Sequence, residues 1–173
     1  QTLRAALEWS DALLSREERM VLWRLSVFAG GWTLAAAEGT VAGEEIAPVE
    51  VASLLSRLVA KSLVQFEPGE ERARYRTLEM IRQYAAEHLA ATGDAATWQQ
   101  RHADYFLALA EEAEPALATG ERSVWLLHLE EDHDNLRAAL DWLIAQGDGT
   151  AAVRLAGTLA PFWHLRRYFR EGR

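Results

Sequence analysis

Apolar residues recur at three- and four-residue spacings along nearly the whole chain, with one interruption between residues 63 and 77. Such spacing builds a helix with one apolar stripe, so the pattern predicts a mainly α protein. Leu3, Leu7, Trp9 and Leu14 outline a first helix. Ser15 followed by Glu17 and Glu18 starts a second, with a capping hydroxyl and acids in its first turn. Met20 to Phe28 carry that helix to Gly30-Gly31, where the backbone is free to turn. Thr33 caps a short helix over Ala35 to Val41, and a longer helix follows Pro48 through Val51, Leu54, Leu55, Leu58 and Val59.

The interruption has a different period. Leu63-Val64-Gln65-Phe66, a turn at Pro68-Gly69-Glu70 and a run from Arg72 to Thr77 predict two short strands joined as a β-hairpin. Helix, helix, short helix, helix, hairpin is the order of a winged-helix domain, expected over residues 1–77. Helical spacing resumes at Leu78, broken at Thr92-Gly93-Asp94, from Pro115 to Gly120 and at Gly147-Asp148-Gly149. Four helices are expected at about 78–91, 95–114, 121–146 and 150–170, which short connections pack as an antiparallel α-helical, TPR-like array over residues 78–173. No tetratricopeptide signature fits at fixed offsets, and no clean internal repeat stands out.

Composition narrows the chemistry. The 173 residues contain no cysteine, which excludes a disulfide scaffold, a thiol nucleophile and thiolate-held metal. No apolar run reaches the roughly 18 residues that cross a bilayer, and QTLRAALEWSD lacks the basic start and apolar stretch of a signal peptide, so a cytoplasmic protein without membrane partners is expected. Opening on Gln1 and closing on Arg170-Glu171-Gly172-Arg173, the chain reads as a piece of a longer protein.

The net charge is −8, with 9 bases against 11 acids in residues 1–77 and 9 against 15 in residues 78–173. An acidic body repels phosphate backbones unless its cations gather on one face. The helix after Pro48 offers Ser53, Ser56 and Arg57, with Lys61 just beyond, while the hairpin adds Glu67, Glu70 and Glu71. DNA binding by this segment is therefore not expected, and a DNA-binding winged-helix repressor with a helical dimerisation tail stands as the alternative.

Arg72, Arg74 and Arg76 alternate along the second strand, so a period of two places them on one face, opposite Ala73 and Tyr75. This small cationic ridge either guards a solvated strand edge or docks an acidic surface. Glu79 and Arg82, three apart, pair on one helix face. His128 and Asp132 have a spacing that could clamp a metal, yet they fit the polar face of a helix whose apolar face is Trp125, Leu129, Leu136, Leu140 and Leu143; no metal site is expected. His88, His102 and His164 have no triad partner in sequence, so no catalytic residue and no enzyme are expected. The seven tryptophans are expected mainly in the core. Pro161 to Phe169 is expected to leave an exposed aromatic end through which the C-terminal helix self-associates.

Four stretches carry a family resemblance: LEWSDALLSREERMVLWRLSVFAGGWTLAAAE, LLSRLVAKSLV, RYRTLEMIRQYAAEHL, and RHADYFLALAEEAEP with EEDHDNLRAALDW. Together they resemble the segment that follows the nucleotide-binding domain in bacterial STAND-type (NB-ARC) ATP-dependent transcriptional regulators, multidomain proteins that carry a LuxR- or SARP-like effector. The resemblance implies a winged helix that packs on the protein's own nucleotide-binding domain, an ATP/ADP cofactor held there and none here, and a helical array that senses a protein or small-molecule inducer. The phosphate-loop pattern G-x-x-x-x-G-K-[ST] is absent from the chain. Where NB-ARC relatives place a Met-His-Asp motif, Thr77-Leu78-Glu79 stands, with Leu78 at the His position. The resemblance thus implies conformational coupling, with Arg72, Arg74, Arg76, Glu79 and Arg82 as docking residues.

Overall fold

The computed structural model describes residues 3–69, 71–118 and 120–171, with Leu3 and residues 166–171 described in backbone only. It is mainly α with one small antiparallel sheet. The elements are α1 (Leu3–Ala12), α2 (Arg16–Leu25), α3 (Leu34–Val41), α4 (Pro48–Ala60), β1 (Gln65–Glu67), β2 (Arg74–Arg76), α5 (Glu79–Thr92), α6 (Ala95–Ala116), α7 (Arg122–Glu131), α8 (His133–Ala145) and α9 (Gly149–Glu171). Two compact units result, residues 1–101 and 102–173.

In the first unit, local chemistry places the starts of α2, α3 and α4. Ser15 Oγ accepts from the Glu18 N–H at 3.1 Å and Glu18 Oε2 accepts from the Ser15 N–H at 2.8 Å, a reciprocal cap that satisfies two otherwise orphaned donors of α2. Thr33 Oγ1 accepts from the Ala36 N–H to start α3. Pro48 occupies the first turn of α4, where no N–H is needed, and Glu50 reaches back to the Ala47 N–H at 2.7 Å.

α2 stops at Leu25, short of the expected Gly30-Gly31. The Val27 and Phe28 N–H groups bond Arg24 and Leu25, three residues back, so these two apolar side chains enter the core from a tight turn and not from a helix. Their burial kept the apolar pattern running past the true helix end.

The hairpin is also shorter than its pattern. Ser62 sits at φ 59°, and the Leu63 and Val64 N–H groups both bond Leu58 O, so these residues finish α4 before β1 begins. β1 pairs β2 in the register Gln65↔Arg76, Phe66↔Tyr75 and Glu67↔Arg74. Trp32 adds a third, bridge-length strand by exchanging both backbone bonds with Tyr75, at 2.9 and 2.8 Å. Gly31 permits this close approach: a Cβ there would lie 3.1 Å from Tyr75 O, tighter than ordinary contact.

The core under this hairpin holds Val21, Leu22, Leu25, Phe28, Trp32, Val41, Val51, Leu55 and Leu58. Phe28 stacks on Trp32 at 5.1 Å. The order α2, Trp32 bridge, α3, α4, β1, β2 is that of a winged helix, with α3 and α4 as its helix-turn-helix.

The unit boundary falls at Arg101 and not at the change of pattern near residue 77. α5 buries Ile81, Tyr84, Ala85 and Leu89, and its His88 ring stacks on Trp23 of α2 at 5.0 Å. A single apolar stripe announces that α5 packs on something; it does not say which neighbour.

The second unit is built on Leu and Ala. Phe106, Leu107, Leu129, Leu136, Ala139, Leu143, Leu155, Leu159 and Phe162 form its core. The helix expected over 121–146 is two, because the backbone at Asp132 leaves helical geometry at φ −95°, ψ 7°. Asp132 is itself buried there, and the turn lets both Leu129 and Leu136 reach the core. α9 runs unbroken past Pro161. Among the described residues no helix is long and apolar enough to cross a membrane.

The tryptophans divide. Trp32 and Trp98 are buried, but Trp9 is 68% exposed on α1. In the expected aromatic end, Phe162 is buried and Trp163 half-buried. The side chains of Arg166 to Phe169 lie outside the described residues.

Candidate nucleic-acid interface

α4 has two faces of different character. Val51, Leu54, Leu55 and Leu58 point into the core, which fixes the helix axis and aims Val49, Ser53, Ser56 and Arg57 at solvent. Val49 is 82% exposed at the N-terminal end of that face. Ser56 Oγ donates to Ala52 O at 2.9 Å, so its free lone pair faces outward as an acceptor. This outer face carries one cation, Arg57, and no acid outside the Glu50 cap.

Lys61, the second expected cation, is drawn aside. Its ammonium donates to the buried Glu18 carboxylate at 2.5 Å and lies 3.5 Å from Leu13 O. Burial pushes the Glu18 carboxyl up, but the Lys61 ammonium and the Ser15 N–H together outweigh burial and leave it below its ordinary value. The Lys61 charge therefore holds the end of α4 onto the start of α2.

The arginine ridge of the hairpin is also subdivided. Arg76 Nε lies 3.3 Å from Glu67 Oε1 and donates to Gln65 Oε1 at 3.4 Å, both on β1. Arg74 Nη2 donates to Gly31 O at 2.8 Å and ties the wing to the Trp32 bridge. Arg72 is half-buried and precedes the strand, so the three do not form the uniform face that strict alternation predicts.

Glu79 and Arg82 do pair. Arg82 Nε and Nη2 donate to the two Glu79 oxygens at 2.8 and 2.7 Å, Gln83 adds a third bond, and Arg82 Nη1 reaches Ser26 O at 3.4 Å. The Arg82 fork pulls the Glu79 carboxyl down to about 2. Arg82 thus fastens the first turn of α5 to the cap of α2.

One polar cluster has no counterpart in the sequence reading. Arg24, in the apolar run MVLWRL, is 6% exposed; it donates to Val41 O at 3.0 Å and to Glu45 Oε2 at 2.9 Å. Its guanidinium lies 3.8 Å above the Trp98 ring. A basic residue on a stripe otherwise filled by Val21, Leu22 and Leu25 is the signal that points to it.

Comparison with known proteins gives this geometry a context. Residues 14–90 match the winged helix-turn-helix domain family. Over 172 residues, 99% of its length, the chain is 41% identical to proteins of Mycobacterium tuberculosis (strain H37Rv) and Mycobacterium bovis named as candidate HTH-type transcriptional regulators. The chain spans only 19% of the length of those regulators. A further Mycobacterium tuberculosis protein, named as uncharacterised, is 44% identical over 96 residues, 55% of this chain and 24% of its own length. No solved structure matches the chain.

These matches overturn the expectation that the segment does not bind DNA. That expectation rested on the acidic body, on only Arg57 and Lys61 as cations at the helix after Pro48, and on the wing acids Glu67, Glu70 and Glu71. Yet residues 78–173 carry 15 of the 26 acids, and Glu50 is the one acid on α4 itself. A groove-reading helix is governed by the potential at its own face, within about a Debye length.

Proposed function

We propose that this chain is the winged helix-turn-helix portion of a longer transcriptional regulator, in which α4 enters the major groove of DNA and the β1–β2 wing lies along the backbone. The outer face of α4 carries the reading. Short Ser53 and Ser56 let the helix approach base edges closely, Arg57 supplies a planar fork suited to guanine, and Val49 offers an apolar contact for a thymine methyl. The match over residues 14–90 and the names of the mycobacterial relatives support it.

The test is an anisotropy titration of labelled duplex DNA over a series of salt concentrations. Arg57→Ala is expected to weaken binding to the preferred sequence by about tenfold and to flatten the preference among sequences. Arg76→Ala, a wing substitution, is expected to weaken all duplexes alike and to lower the salt slope by about one. Wild-type protein that leaves every duplex unbound at low salt contradicts the proposal.

A second reading is favoured by the paired charges at the start of α5. Arg72, Arg74, Arg76, Glu79 and Arg82 lie on the wing and the adjoining helix turn, where the STAND resemblance sets the contact with a nucleotide-binding domain elsewhere in the longer protein. In that reading the winged helix couples ATP or ADP state to the helical array. Binding of a separately produced nucleotide-binding domain, altered by exchanging ADP for ATP and lost in Arg82→Ala, is the expected result.

A further inference from the structure

The turn between α3 and α4 decides where the groove-facing helix points, and it is held from outside the helix-turn-helix. Residues 42–47 form this turn, closed by the Gly43 N–H on Ile46 O at 2.9 Å and the Ile46 N–H on Gly43 O at 3.3 Å. Arg24 of α2 bonds it at two points: Val41 O, where α3 finishes, and the Glu45 carboxylate within the turn. The Arg24 guanidinium carbon lies over the ring of Trp98, in the first turn of α6, at 3.8 Å from its centroid, and Arg101 approaches the same ring at 5.3 Å. The ring also meets the turn itself, since a Cβ at Gly43 would lie 3.0 Å from Trp98 Cη2. Trp98 is 7% exposed and Arg24 6%, so the ring–guanidinium contact is shielded from water.

We infer that Trp98 is a positioning residue for α4: it clamps Arg24 and Gly43, and through them the α3–α4 turn, so the order of this turn depends on the start of α6. The physical chemistry is specific. A guanidinium on an indole face is attracted by the ring quadrupole, and the attraction grows when water is excluded. Arg24 cannot leave this site without stripping partners from Val41 O and Glu45, so the ring keeps it in place where an aliphatic side chain of similar bulk would not. A Cβ at Gly43 would press on the ring at 3.0 Å, so any larger residue there displaces the ring or the turn.

The inference rests on α4 being the DNA-contacting helix, and its test separates the two. Backbone hydrogen exchange at Gly43 and Ile46 is measured in the 173-residue protein as wild type, Trp98→Phe, Trp98→Leu and Gly43→Ala, beside anisotropy titrations of the same proteins with a fluorescein-labelled mixed-sequence duplex. Trp98→Leu and Gly43→Ala, which break the contact from opposite sides, are expected to speed exchange at both amides by about tenfold and to weaken DNA binding by a similar factor, with Trp98→Phe close to wild type. Far-ultraviolet circular dichroism of the two disruptive variants is expected to stay that of wild type. Unchanged exchange at Gly43 and Ile46 in both folded variants overturns the inference. So does faster exchange with wild-type DNA affinity, since the order of the turn would then not govern the helix. If no variant, wild type included, binds DNA, the proposed function fails, and the exchange rates alone decide whether Trp98 orders the turn.

Discussion

The two units of the chain are made by different means. Residues 1–101 are pinned by named polar devices: the Ser15–Glu18 cap, the Lys61–Glu18 pair, Arg24 between Val41, Glu45 and Trp98, and Arg82 on Ser26. The described core of residues 102–173 is interdigitated Leu, Ala and Phe, and its polar contacts include the buried His102 Nε2–Asn135 Oδ1 pair at 3.1 Å and Arg154 donating to Glu111 at 2.6 Å. Apolar packing sets how well a unit is filled, while hydrogen-bonded charges set where one element stands relative to the next. A winged helix that must present α4 at a fixed angle uses the second kind. The helical unit shows its architecture through periodicity and discloses little about what it contacts.

The largest effect that breaks this contrast is a cavity. Leu55→Ala in the first unit and Leu136→Ala in the second, both with fully buried side chains, are each expected to cost roughly 2–5 kcal/mol in chemical unfolding. Hydrogen exchange is expected to accelerate first in the unit that was cut. Equal acceleration throughout the chain from either substitution would mean that the units unfold as one.

Acid sharpens the contrast. Burial holds the His102 imidazole down to about 4, against 6.5 when exposed, with the Asn135 bond opposing the shift. The unfolded chain therefore binds the proton first as pH falls, and the neutral ring's contribution, present above pH 6.5, is lost on the way down to about pH 4. That loss is about 3 kcal/mol and belongs to the second unit. Urea unfolding followed across this range checks it, and a second unit whose stability is flat with pH would contradict it.

A smaller effect probes the first unit's polar devices. Ser15→Ala removes the oxygen that caps α2 and is expected to cost about 1 kcal/mol, with Ser15→Gly milder. Thermal unfolding with near-wild-type values for both would show that the Lys61–Glu18 contact alone fixes this helix start.

Much of the fold was legible because local chemistry wrote it. The caps at Ser15 and Thr33, Pro48 opening α4 and Gly93 closing α5 at φ 83° are all short-range signals. What was not legible is tertiary. Val27 and Phe28 extend an apolar pattern beyond α2 because a turn buries them, and Asp132 breaks a helix whose leucine spacing continues across it. α5 joins the first unit through partners on α2 that no local pattern names.

The candidate site was half legible. Ser53, Ser56 and Arg57 follow from the helix period, whereas Lys61 turns away to Glu18, which sequence distance conceals. Arg24 and Trp98 meet only in three dimensions. Counting charges, over the chain and at the helix and wing, misdirected the DNA expectation, because a count does not say which face each charge occupies or what it pairs with.

The central claim, that α4 and the wing face DNA, is tested most directly by mapping backbone amide shifts of isotope-labelled protein during titration with duplex DNA at low salt. The account predicts perturbations concentrated on Val49 to Lys61 and on Gln65 to Arg76, weakening together as salt is raised. Perturbations confined to α7, α8 and α9, or a spectrum unchanged by DNA, would contradict it.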